Sequence, residues 1–86
     1  MLNLKFSNKA SKFLKNCPED LYTEIENKLK ELQENPFPKG FKKIGGRKEK
    51  VFRIRIGNHR ILYTIIKENN DLLIVDIDQR SQVYKK

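Results

Sequence analysis

Val51-Phe52-Arg53-Ile54-Arg55-Ile56-Gly57-Asn58-His59-Arg60-Ile61-Leu62-Tyr63-Thr64-Ile65-Ile66 is the stretch whose reading decides the fold. Two runs rich in β-branched and aromatic residues flank Gly57-Asn58, a pair that tolerates the positive φ of tight turns, so the stretch predicts a β-hairpin. Counting outward from a two-residue turn, Ile56 faces His59, Arg55 faces Arg60, Ile54 faces Ile61, Arg53 faces Leu62 and Phe52 faces Tyr63. Side chains alternate along a strand. Phe52, Ile54, Ile56, Ile61, Tyr63 and Ile65 therefore share a core-facing side, and Arg53, Arg55 and Arg60 share the other.

That second side is unusual. Like charges placed opposite each other in a sheet destabilise it, whereas an opposite-charge pair contributes about 0.2–1 kcal/mol. A single arginine can splay into solvent and cover apolar surface with its stem; three on one hairpin face call for a different reason.

The flanking chain supplies the rest of the domain. Residues 2–6 alternate apolar and polar, as a first strand with one buried face does. Ser7 or Asn8 can cap a short helix to about Lys15 whose Ala10, Phe13 and Leu14 form a core-facing stripe. A second helix has Pro18 at its first position, Glu19 and Asp20 at the positive end of its dipole, and Leu21, Ile25, Leu29 and Leu32 on one face. Asn35-Pro36 ends it, and residues 37–40 turn the chain back. Residues 41–44 predict a short strand, closed by Gly45-Gly46 and a charged loop. After a turn at residues 67–71 comes a last strand, with Leu73, Val75 and Ile77 expected to face the core and Asp76 and Asp78 to lie with the arginines. The order β-α-α-β-β-β-β predicts one α+β domain spanning residues 1–86. In it two helices pack on one face of a mostly antiparallel sheet of four to five strands, and the arginine face stays open.

Composition narrows the partners. Residues 39–60 hold nine Lys or Arg against one acid and so account for the whole net charge of +8, while residues 19–34 carry six of the eleven acids. A basic stripe of this kind suits a polyanion, most economically nucleic acid. No long apolar run or signal peptide points to a membrane, and Cys17 stands alone, so a cytoplasmic protein without disulfides is expected.

Catalytic motifs are sparse. His59 is the only histidine and reads as a turn residue, and neither phosphate-binding glycine-loop pattern occurs. Asp76 with Asp78 could chelate Mg²⁺, but pairing with the neighbouring arginines explains them equally well, and no metal or cofactor is expected. Such a surface can still serve RNA cleavage, because RNA carries its own nucleophile in the 2′-hydroxyl. Guanidiniums match two phosphate oxygens and remain charged, so they suit the developing phosphoryl charge. As proton acceptors they are poor. That role falls to Tyr84, to Lys43, Lys48 or Lys50, to a water or to an external group.

Over nearly its whole length the chain resembles the RelE branch of the RelE/ParE superfamily of type II toxin–antitoxin toxins. The features that carry the resemblance are Phe6-Ser7 with the paired helices, the Leu32-to-Pro36 helix end, Ile44-Gly45-Gly46, Arg53-x-Arg55, residues 57–63, Asp78-Gln79-Arg80 and Val83-Tyr84. The resemblance implies a RelE-like microbial ribonuclease fold and a metal-independent endoribonuclease, an mRNA interferase that cuts mRNA in the ribosomal A site and stops translation. Carried over by position, the catalytic set is Arg53, Arg55, Arg60, Arg80 and Tyr84. Lys42, Lys43, Arg47, Lys48 and Lys50 are then candidates for contacting RNA or the ribosome. The implied inhibitor is a RelB-like antitoxin, acidic and partly disordered. Two features depart from the family pattern: the basic pair is lysine in well-known members, and Gln79 stands where relatives frequently have His. A ParE-like gyrase inhibitor that cuts nothing, or a non-catalytic nucleic-acid-binding module, are the competing readings of the same surface.

Overall fold

The computed structural model describes residues 1–44 and 50–79. The hairpin forms with the register that its turn dictates. Strands β3 (Val51–Ile56) and β4 (His59–Ile66) pair antiparallel, with Phe52 opposite Tyr63, Ile54 opposite Ile61, Arg55 opposite Arg60 and Ile56 opposite His59. Gly57 takes the left-handed backbone at φ +56°, which costs a glycine nothing. Five of the six side chains assigned to the inner face are buried, and Ile65 packs half-buried against them.

Around the hairpin stand β1 (Asn3–Phe6), α1 (Asn8–Asn16), α2 (Glu19–Glu34), β2 (Lys42–Ile44) and β5 (Asp71–Gln79). The sheet has five strands in the order β1-β5-β4-β3-β2. It is antiparallel except where β1 runs parallel to β5. Ala10 of α1 and Ile25, Leu29 and Leu32 of α2 join the sheet's inner face in one core. That periodicity is the helical stripe read from the sequence. Two details at the elements' ends differ from expectation. Pro18 is the N-cap of α2 rather than its first helical residue, because its ψ of 154° is extended and only its carbonyl joins the helix, accepting from the Tyr22 N–H. Phe6 is 38% exposed, at the end of the edge strand β1, where it lines an open pocket with Leu14 of α1 and Tyr22 of α2.

Strand β5 differs most from its sequence reading. Leu72, Ile74 and Ile77 are buried, while Leu73 and Val75 are half-buried on the other side. The pairing explains the change: Tyr63 lies opposite Ile74 but Leu62 lies opposite Asp76, so Val75 is an extra residue in a β-bulge. One inserted residue reverses the alternation. The expected phase holds for Ile77, Asp76 and Asp78 and is inverted for Leu73 and Val75.

Ser7 holds the bulge. Its hydroxyl donates to the Val75 carbonyl at 2.6 Å and accepts from the Ala10 N–H at 3.0 Å as the N-cap of α1. Its own N–H donates to the Ile74 carbonyl at 3.0 Å. One residue thus ties the helix start to the irregular point of the strand.

At the other end of the sheet, Tyr63 anchors the connection from α2 to β2. The ring is fully buried, and its hydroxyl donates to the Pro36 carbonyl at 2.6 Å. Phe37, Phe41 and Phe52 stack beside it at ring-centroid separations of 5.1–5.9 Å. Burial pushes the Tyr63 phenol up to about 12.

Two stability tests follow from these anchors. Ser7→Ala removes a cap and the donor to the bulge, and should lower the unfolding free energy by about 1–2 kcal/mol in denaturant titrations. Tyr63→Phe leaves the half-buried Pro36 carbonyl without this donor and should cost about 1–2 kcal/mol at neutral pH. Because the folded pKa lies above the unfolded value near 10, the protonated phenol's contribution is full below pH 10 and is lost as pH rises through about 12. The Phe variant should lack that component of the alkaline loss.

Candidate nucleic-acid interface

The face of the sheet away from the helices is laid out by the strand registers. Paired residues point to the same side, so one row across the sheet reads Arg55, Arg60, Asp78 and the next reads Lys42, Arg53, Leu62, Asp76. Directly paired Cβ atoms lie about 4.5–5.5 Å apart. Three guanidiniums therefore stand on neighbouring positions of two strands. Arg55 is exposed, and Arg53 and Arg60 are half-buried.

Arg60 has a defined partner. Its Nε donates to Asp78 Oδ1 at 3.1 Å and its Nη2 to Oδ2 at 3.3 Å, a two-pronged arrangement of planar groups. Asp76, the other acid of β5, instead meets Lys9 of α1 at 3.4 Å and accepts from the Ile77 N–H at 2.8 Å. The expected pairing of acids with arginines thus holds for Asp78, while α1 reaches Asp76 past the end of β1. Among the described residues no three His, Cys, Asp or Glu side chains converge as a metal-binding group.

Beside the arginines, a cleft of about 360 Å³ opens along β3 where the short β2 stops pairing with it. Lys28, Lys39, Lys42, Arg53 and Arg55 line it. Lys28 was hidden from sequence reasoning because it lies in the acidic helix and pairs with Glu31 at 2.7 Å. Only its placement, on the turn of α2 that faces the β2 end of the sheet, could reveal it. A cleft lined by five cations attracts a phosphate backbone electrostatically.

The other assigned residues fall as follows. Lys43 lies opposite Phe52, on the reverse side of the sheet from Lys42, and Lys50 is exposed just before β3. His59 begins β4, and its ring stands edge-on to Phe13 at 5.8 Å, so it is packed against α1 rather than displayed in the turn. Arg47, Lys48, Arg80 and Tyr84 lie outside the described residues. Among the described residues no helix is long and apolar enough to cross a membrane.

Relatives share this fold. The chain is 29% identical to the protein called RelE1 of Methanocaldococcus jannaschii, over 96% of this chain and 94% of that one. RelE in the RelE–RelB complex of Pyrococcus horikoshii OT3 superimposes with a TM-score of 0.80 at 20% identity, covering 94% of this chain and 97% of that one. The isolated RelE toxin of E. coli also superimposes with a TM-score of 0.80, at 23% identity, covering 98% and 92% of the two chains. The family model describing the ParE toxin of type II toxin–antitoxin systems matches residues 4–84. The chain accordingly belongs to the ParE toxin family of type II toxin–antitoxin systems, within the RelE-like toxin superfamily.

Proposed function

We propose that this toxin is a ribosome-dependent endoribonuclease that cuts mRNA in the ribosomal A site and halts translation. The observation that carries the reading is the open sheet face, where Arg53, Arg55 and Arg60 occupy adjacent positions beside a cleft lined by Lys28, Lys39 and Lys42. In this reading the lysines hold the backbone of the RNA, and the guanidiniums brace the phosphoryl oxygens while the neighbouring 2′-hydroxyl attacks phosphorus. The 5′-oxygen leaves and a cyclic phosphate remains, so no metal is required for the nucleophile. Arg80 adds a further charge, and Tyr84 supplies a ring to stack on a base and a phenol for proton transfer. Lys43, Arg47, Lys48 and Lys50 extend the contact to RNA or ribosome.

An antitoxin is the natural regulator. The P. horikoshii relative was solved as a RelE–RelB complex, and a basic surface of this kind suits an acidic, partly disordered inhibitor. A ParE-like gyrase inhibitor is the second reading, favoured by the description of the matching family model.

Programmed ribosomes separate the two. Incubation with the full chain should cut translated mRNA within codons and leave free RNA nearly intact, with gyrase supercoiling unaffected. Intact mRNA together with lost supercoiling would establish the second reading instead. Arg55→Ala, at an exposed position, should leave the melting temperature within a few degrees and lower cleavage by roughly 10²-fold, a typical loss for one transition-state charge contact.

A further inference from the structure

Asp78 lies, with Asp76, in a surface rich in cations, and its charge opposes the approach of any phosphate. The pair is half-buried, 21% and 31% exposed on its two sides, so its attraction is set against a desolvation cost and fold stability alone is a weak reason for it. Its geometry is more specific. Asp78 occupies the Nε–Nη2 edge of the Arg60 guanidinium through both carboxylate oxygens, which sets the plane of the fork as well as its position. Arg55, a like charge, lies directly opposite Arg60 on β3, and the Asp78 carboxylate counters that repulsion from the β5 side.

The pairing also depends on the bulge. With Tyr63 opposite Ile74 and an unbroken ladder, Arg60 would face Ile77; the extra Val75 moves Asp78 into that place. Ser7 ties that bulge to α1 through the Val75 carbonyl, so the aim of Arg60 is fixed by the packed body of the domain. Groups that act in a transition state gain from a rotamer locked in this way.

We propose that Asp78 is a positioning residue, which holds the Arg60 guanidinium in the orientation that meets the phosphoryl group. The inference rests on the nuclease reading of this face. Electrostatics and positioning predict opposite signs for Asp78→Asn. Removing a negative charge should tighten RNA binding, whereas releasing Arg60 should slow the chemical step.

The test is single-turnover and steady-state cleavage of ribosome-bound mRNA by the full chain. Asp78→Asn should lower kcat by roughly 10- to 100-fold with KM unchanged or reduced. Asp78→Glu should recover part of the rate, and in an Arg60→Ala background Asp78→Asn should have no further effect. A second readout is independent of cleavage: the Arg60 Nε–H resonance should exchange slowly with water in the parent chain and rapidly in Asp78→Asn. Parent protein that leaves ribosome-bound mRNA intact would refute the nuclease reading, and the Nε–H exchange would still decide whether Asp78 holds Arg60. Wild-type kcat in Asp78→Asn, a loss confined to KM, an equal loss without Arg60, or unchanged Nε–H exchange would overturn the proposal.

Discussion

One surplus residue in β5 sets the arrangement of both faces of the sheet. The strand must bury Leu72 and Ile74 near β1 and Ile77 near the hairpin turn, and strict alternation cannot place all three on one side. The bulge at Val75 resolves the conflict by shifting the register against β4 between Tyr63 and Leu62. The same shift turns Asp76 and Asp78 outward. Core packing and the charge pattern of the opposite face are thus consequences of a single backbone irregularity, stabilised where Ser7 meets the Val75 carbonyl.

The division of labour between the faces follows from this. The inner face is closed by α1 and α2 and anchored at its far end by the fully buried Tyr63 and its phenylalanine neighbours. Among the described residues both helices contribute to the core on the inner face, and Arg55 on the outer face is exposed. Charge repulsion between Arg55 and Arg60 is the cost of concentrating guanidiniums there, and the Asp78 carboxylate offsets part of it. A face with this charge pattern suits a polyanion electrostatically.

The cleft beside β3 shows how elements of opposite charge cooperate. Helix α2 is acidic overall, yet it turns Lys28 toward Lys39 and Lys42. Glu31 balances Lys28 at 2.7 Å without removing it from the cleft. A segment's net charge therefore says little about the potential at one of its faces.

Much of this was legible in the residues themselves. The hairpin register, its separation into apolar and arginine faces, and the stripes of both helices follow from periods of two and 3.6 and from the turn chemistry of Gly57-Asn58. All of these are local properties, so local sequence determines them. The inversion of Leu73 and Val75 was not legible, because a bulge arises from competition between two burial demands at opposite ends of one strand. Nor was the membership of Lys28 in the basic cleft, or the split of Asp76 to Lys9 and Asp78 to Arg60. These depend on which distant segments meet, and only the packed chain brings α1 past the end of β1 and α2 against the sheet.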